Sequence, residues 1–202
     1  MRAYMPLVLG DPDERISLLR TSGPDMPLLG YDDPAIEIMT DFRRTPAIAV
    51  PADAQIDSAL DQMIFSGVRL LFVVDAAFNI LGSVTSYDIQ GEKPMLYMQS
   101  RDCRLGLCSR DEITVRDIMT PVWRWRVLNY DGLADATLGD IMETFKRLGQ
   151  RHIIVVEWIR GRSVQNVRGL FSATVLERAL GFPIETSDTA TSFAEIKHAI
   201  VR

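Results

Sequence analysis

Gly82-Ser83-Val84-Thr85-Ser86-Tyr87-Asp88-Ile89 closes a stretch that opens with Ile56 and runs through Met63, Gly67, Arg69 and Val73-Val74-Asp75. The same order recurs as Leu138, Phe145, Gly149, Arg151 and Val155-Val156-Glu157, leading into Gly169-Leu170-Phe171-Ser172-Ala173-Thr174-Val175-Leu176. Positions 56 and 138 are 82 apart, as are 75 and 157, whereas Gly82 and Gly169 are 87 apart, so the second copy carries five extra residues between its strands. Surface loops absorb such growth at little cost. Ile38-Met39-Thr40 returns as Ile118-Met119-Thr120 at an offset of 80. A repeat of this length holds a whole supersecondary unit and predicts two similar halves packed on each other. The copies differ most tellingly where Asp88 gives way to Val175.

Within the first copy, Ala47 to Val50 reads as a short strand stopped by Pro51. Asp53 is a candidate N-cap for a helix whose apolar positions are Ile56, Leu60, Met63 and Ile64, ended by Gly67. Leu70 to Val74 and Ile80 to Val84 read as strands around a turn, and Thr85 can cap a helix starting near Ser86. The second copy gives a strand near Trp125 to Leu128, a helix over 138–148, strands over 153–158 and 167–171, and a helix over 173–180. Lys93 to Arg110 reads as a helix and a connection. Ser192 with Glu195 forms a capping-box pattern ahead of a last amphipathic helix. The organisation is therefore an N-terminal extension over 1–34, a first unit with connecting helix over 35–110, a second unit over 111–181, and a C-terminal helix over 182–202. Leu18, Leu19, Leu28 and Leu29 predict that the extension packs on the body.

The 202 residues are 47% hydrophobic and 24% charged, the balance of a globular protein with a real core. No apolar run approaches the ~20 residues of a membrane span, and Pro6 followed by acidic residues is unlike a secretory leader, so a cytoplasmic location with no membrane partner is expected. The net charge of −5 weighs against nucleic acid. Cys103 and Cys108 have too few neighbouring ligands for zinc and are expected to be reduced thiols. His152 and His198 lie in unrelated contexts, and no nucleophile elbow, phosphate-binding glycine loop or metal-spaced acid cluster occurs. No enzymatic activity, metal or required cofactor is expected.

Two β-α-β-β-α units, each ending in Gly and a Thr/Ser-led helix start, joined by Asp117-Ile118-Met119-Thr120-Pro121, resemble a tandem pair of cystathionine-beta-synthase-type (CBS) domains, often called a Bateman module. The resemblance covers about residues 36–181 and implies an α/β (α+β) fold whose units pack through their sheets about a pseudo-twofold axis. It also implies an adenosine-containing ligand in a cleft between the units, with AMP, ADP, ATP or S-adenosylmethionine as candidates. A homodimer and an effector protein that receives the signal are implied as partners.

The chemistry of the motif agrees with that expectation. A carboxylate in the first turn of a helix can accept from both hydroxyls of a ribose, while Thr85 at the helix start can donate to a phosphate. The same residues are equally a helix cap, with Asp88 complementing the dipole. By resemblance Tyr87 contacts the ligand, Arg69 and the Arg151-His152 pair reach its phosphates, and Ile48 and Val50 line the adenine pocket. The bland alternatives are surface charges at helix-to-strand turns and ordinary core residues. Ser172 retains a capping hydroxyl, but Val175 accepts nothing from a ribose, so a second site is not expected. Trp123-Arg124-Trp125-Arg126 alternates at strand period and predicts tryptophans on one face and arginines on the other. A ligand-free scaffold is the competing reading for the whole chain.

Overall fold

The computed structural model describes residues 29–100, 109–158 and 164–184. The cysteines, the Ser192 capping box and most of both terminal segments lie outside them.

Among the described residues, eight strands form two four-stranded sheets. Their ranges are β1 Thr40–Asp41, β2 Ala49–Pro51, β3 Leu70–Val74, β4 Ile80–Thr85, β5 Thr120–Pro121, β6 Val127–Asn129, β7 His152–Trp158 and β8 Gln165–Ser172. The helices are α1 Ile56–Ser66, α2 Ser86–Gln90, α3 Lys93–Met98, α4 Val115–Ile118, α5 Leu138–Leu148 and α6 Ala173–Leu180. Each sheet has a parallel pair at one edge and antiparallel pairs beyond it: β2 beside β3 and β6 beside β7 run parallel, as a β-α-β crossover requires. Gly67 and Gly149 end α1 and α5 at φ 66°, a conformation that a Cβ would strain.

The strand order is β2-β3-β4-β5 in one sheet and β1-β8-β7-β6 in the other, so the halves exchange their outer strands. β1 precedes the first copy yet pairs with β8, through Thr40–Leu170 and Asp41–Gly169. β5 precedes the second copy yet pairs with β4, through Ser83–Thr120 and Gly82–Pro121. Both crossings are tight. A Cβ on Gly82 would lie 2.5 Å from Thr120 O and one on Gly169 would lie 2.7 Å from Thr40 O, with Met119 and Met39 packed against the same two positions. The repeated glycine and the repeated Ile-Met-Thr are two parts of one contact, each copy's glycine receiving the other copy's strand.

The cores follow the exchange. Ile113, Val115 and Ile118 are buried with Ile56, Met63, Leu71 and Ile89 in the first half. Ala35, Ile38 and Met39 are buried with Leu138, Phe145, Phe171 and Leu176 in the second, and Leu29 packs there too. Leu70, Phe72, Ile154 and Val156 form a third cluster between the sheets, in line with the sheet-to-sheet packing that the family resemblance implies. In the second half Arg168 is 5% exposed and binds Asp41 of β1 side-on, lies 3.3 Å from Glu157, and sits over the Tyr130 ring. Its hydrogen bonds and charge hold the Asp41 carboxyl below the usual carboxylate range.

Several local expectations need correction. Asp53 does not cap α1; the helix follows extended Gln55, and Ile56 N donates to Ile113 O, so the borrowed segment sets its start. Ile64 is 71% exposed because the buried stripe is Ile56, Ala59 and Met63. The tryptophan-arginine run is not a strand: Val122–Arg124 is a 3-10 turn, and β6 begins only at Val127. Trp123 is exposed with Arg124 stacked on it, while Trp125 packs edge-on against Phe72 and donates from Nε1 to Thr120 O. Ser172 makes no side-chain cap bond.

Candidate functional site

The start of α2 organises the site. Thr85 ends β4 opposite Leu70, and Ser86 N donates to Arg69 O, which turns the chain into the helix. Asp88 N donates to Thr85 Oγ1 at 3.2 Å, while Thr85 N and Thr85 Oγ1 both donate to Asp88 Oδ2 at 2.8 Å. Asp88 Oδ1 lies 2.7 Å from Lys93 Nζ, at the start of α3. The same ammonium donates to Ile118 O at 3.1 Å and Thr120 Oγ1 at 3.2 Å. All three of its protons are thereby used.

Thr-x-x-Asp is also the general helix-start chemistry of this chain. Thr114 with Asp117 and Thr137 with Asp140 make the same paired bonds, at 2.7–2.9 Å, at the starts of α4 and α5. Neither borders the cleft beside Asp88. What distinguishes residues 85–88 is that cleft, together with Lys93.

The opposite wall comes from the other half. Gly149 stops α5 and His152 opens β7, which puts Arg151 and His152 at the edge facing α2. Arg151 Nη2 lies 3.1 Å from Glu177 Oε2 and 3.4 Å from Thr174 Oγ1, with its guanidinium 6.0 Å from the Tyr87 ring centroid. Burial of the imidazole, with the neighbouring Arg151 and Arg69 charges, pushes His152 down to about 4 against the pull of Asp88. His152 is therefore neutral at physiological pH.

Between the walls lies a cleft of about 530 Å³, within the size range of small-molecule sites. Thr85, Tyr87, Asp88, Arg151 and His152 all line it, so residues from both copies converge there. Ser172, Arg69, Ile48 and Val50 do not line it. Val50 is 3% exposed in the first core, Ile48 packs on the same core, and Ser172 pairs with His152 in the β7–β8 ladder. Arg69 is exposed and acts on the cleft through its charge near His152. The lining also includes Glu92, Lys93, Arg124, Trp125, Arg126 and Gln150, which the motif did not single out as site residues. Only the basic-aromatic spacing of 123–126 signalled part of this set, and it pointed to the wrong local geometry. Among the described residues no group of three or more His, Cys, Asp and Glu is arranged to hold a metal, and no helix is long and apolar enough to cross a membrane.

Comparison with known proteins bears on the fold. The CBS domain family matches residues 35–92. No curated protein matches the chain. Among solved structures, an uncharacterized conserved protein from Pyrococcus horikoshii is 21% identical with a TM-score of 0.51, the alignment covering 78% of this chain and 99% of that one. A Methanocaldococcus jannaschii protein proposed as an archaeal homologue of g-AMPK is 22% identical with a TM-score of 0.50, over 72% of this chain and 49% of that one. The CBS-pair protein CBSX2 of Arabidopsis thaliana, crystallised in complex with AMP, is 21% identical with a TM-score of 0.48, over 74% of this chain and 96% of that one. Residues 35–92 thus match the CBS domain family, and the chain shares its fold with the Pyrococcus horikoshii protein over 78% of its length.

Proposed function

We propose that this chain is a regulatory module that binds an adenosine-containing ligand, AMP, ADP or ATP, in the cleft between its halves. One observation carries the reading: in a chain of net charge −5, the cleft is lined by four cations, Lys93, Arg124, Arg126 and Arg151, against two acids, Asp88 and Glu92. Such a balance attracts phosphate. It also favours a phosphorylated ligand over the sulfonium of S-adenosylmethionine. Asp88 at the helix start supplies the acceptor that a ribose needs, and Trp125 supplies an aromatic wall. On this reading the module acts by changing shape and passes its signal to an effector protein.

A thermal-shift series with AMP, ADP, ATP, GTP and S-adenosylmethionine tests this directly. A ligand at 100 times its dissociation constant adds about 2.7 kcal/mol to the folded state. Stabilisation by an adenine nucleotide is the expected result, and none by any of the five would leave the alternative, a ligand-free scaffold. That alternative is favoured by a specific observation, since both Asp88 oxygens already have partners inside the protein.

We further infer a homodimer formed through the helical surfaces, because α1 exposes Ile64 at 71% and Phe65 at 93%, which is apolar surface suited to a second copy. Light scattering at micromolar concentration should give twice the chain mass of 22.7 kDa. A monomer mass would count against the pairing.

A further inference from the structure

The Asp88 carboxylate enters the cleft already engaged. Its Oδ2 accepts twice from Thr85, and its Oδ1 is held by Lys93 at 2.7 Å. Oδ2 already accepts two bonds and Oδ1 one, so a ribose diol, which donates two, takes both positions of Oδ1 only by displacing Lys93. The two partners differ in freedom, because the Asp88 side chain is 16% exposed and fixed by the capping box whereas Lys93 is 41% exposed on a flexible stem. The ammonium is the group that moves. Its other acceptors, Ile118 O and Thr120 Oγ1, keep it at the cleft wall, so a departing Lys93 is still within the cleft.

We propose that Lys93 is the charge filter of this cleft: a ligand reaches Asp88 with its ribose only when it brings phosphate that draws the ammonium off the carboxylate. The inference rests on the nucleotide reading above and names what that site selects. Charge-assisted bonds to phosphate replace the lost Asp88 contact, and the nearby Arg124 and Arg126 bring the phosphate to the same place. A nucleoside without phosphate offers Lys93 no anion and is turned away. Affinity thus rises with phosphate number, from adenosine through AMP and ADP to ATP.

Calorimetry on the full chain with these four compounds, in magnesium-free buffer, tests the filter. In the unmodified protein adenosine should be the weakest and ATP the tightest. Lys93→Met should tighten adenosine about fivefold and weaken ATP about fivefold, the scale of a half-exposed ion pair. The ATP-to-adenosine ratio then falls about 25-fold, the product of those two changes. Lys93→Arg, which keeps the charge, should preserve the original order. Rising salt should narrow the ratio in the unmodified chain, an outcome that needs no variant to fold. If Lys93→Met weakens all four compounds equally or changes none, or if the ratio ignores salt, the filter is overturned while nucleotide binding stands. If none of the four binds the unmodified chain or either variant, both the filter and the nucleotide reading fall.

Discussion

The two halves place different chemistry on one backbone. After β4 the chain enters α2 with Thr85 and Asp88 in a closed capping box whose carboxylate faces a cleft and a lysine. After β8 it enters α6 with Ser172 and Val175, makes no side-chain cap bond, and uses Arg151 to tie the helix through Thr174 and Glu177 instead. The strand exchange, by contrast, is kept in both halves, with a glycine receiving the partner strand and a methionine packed on it. The two halves share the residues that the strand exchange demands and differ at the starts of α2 and α6.

That contrast can be broken or sharpened by substitution. The largest effects should come from the shared parts: Gly82→Ala and Gly169→Ala each drive a methyl group into backbone at 2.5 and 2.7 Å, and each should cost about 1–3 kcal/mol in denaturant unfolding. A harmless Gly169→Ala would show that the second exchange is slack. Next comes the divergent position. Asp88→Ala should weaken adenine-nucleotide binding by about tenfold or more, whereas Val175→Ala should leave it within about threefold on the same reasoning; equal losses would place the site elsewhere. Asp140→Ala, at a capping box away from the cleft, should cost about 1 kcal/mol of stability and leave nucleotide affinity unchanged. A loss of binding there would mean that Thr-x-x-Asp boxes act together.

The effect smallest at neutral pH is electrostatic. His152 is pushed from 6.5 down to about 4 in the folded protein, so the unfolded chain takes up a proton that the native state refuses between those values. Stability should rise with pH across that window, with a slope below about 1.4 kcal/mol per pH unit. His152→Leu should flatten it. A slope that survives the substitution assigns the effect to other groups. Asp41 acts lower down, since its depressed carboxyl gives stability that is present above its ordinary value of 3.8 and lost as pH falls through the folded one.

The fold was legible because the repeat spells it twice. Val73-Val74 and Val155-Val156, the glycine stops after α1 and α5, and the helix over 138–148 needed only periodicity and turn chemistry. The strand exchange was not legible, because the pairing of Thr40 with Leu170 depends on where the whole second half sits. The site was half legible. Thr85 and Asp88 stood out, yet the chain writes the same pattern at Thr114 and Thr137 as pure caps, so the motif alone could not separate ligand binding from capping. Lys93 carried no local signal; its position is set by acceptors 25 and 27 residues away on the borrowed segment. The tryptophan run failed for a related reason, since Pro121 and the turn over Val122–Arg124 override strand alternation there.

The exchange also dictates an order of synthesis. Ser83 waits for Thr120, 37 residues later, before the first sheet has its outer strand, while Thr40 waits for Leu170, 130 residues later. Closing the longer span costs about 1 kcal/mol more chain entropy than the shorter. On the ribosome the first half can therefore complete itself early with the strand that opens the second, whereas β1, the earliest of the described strands, is the last of them to be paired. The halves cannot be sold separately as fragments either: a chain cut between them leaves the first without Ile113, Val115 and Ile118 and the second without Ala35, Ile38 and Met39, so each piece should regain its shape only when the other is added back.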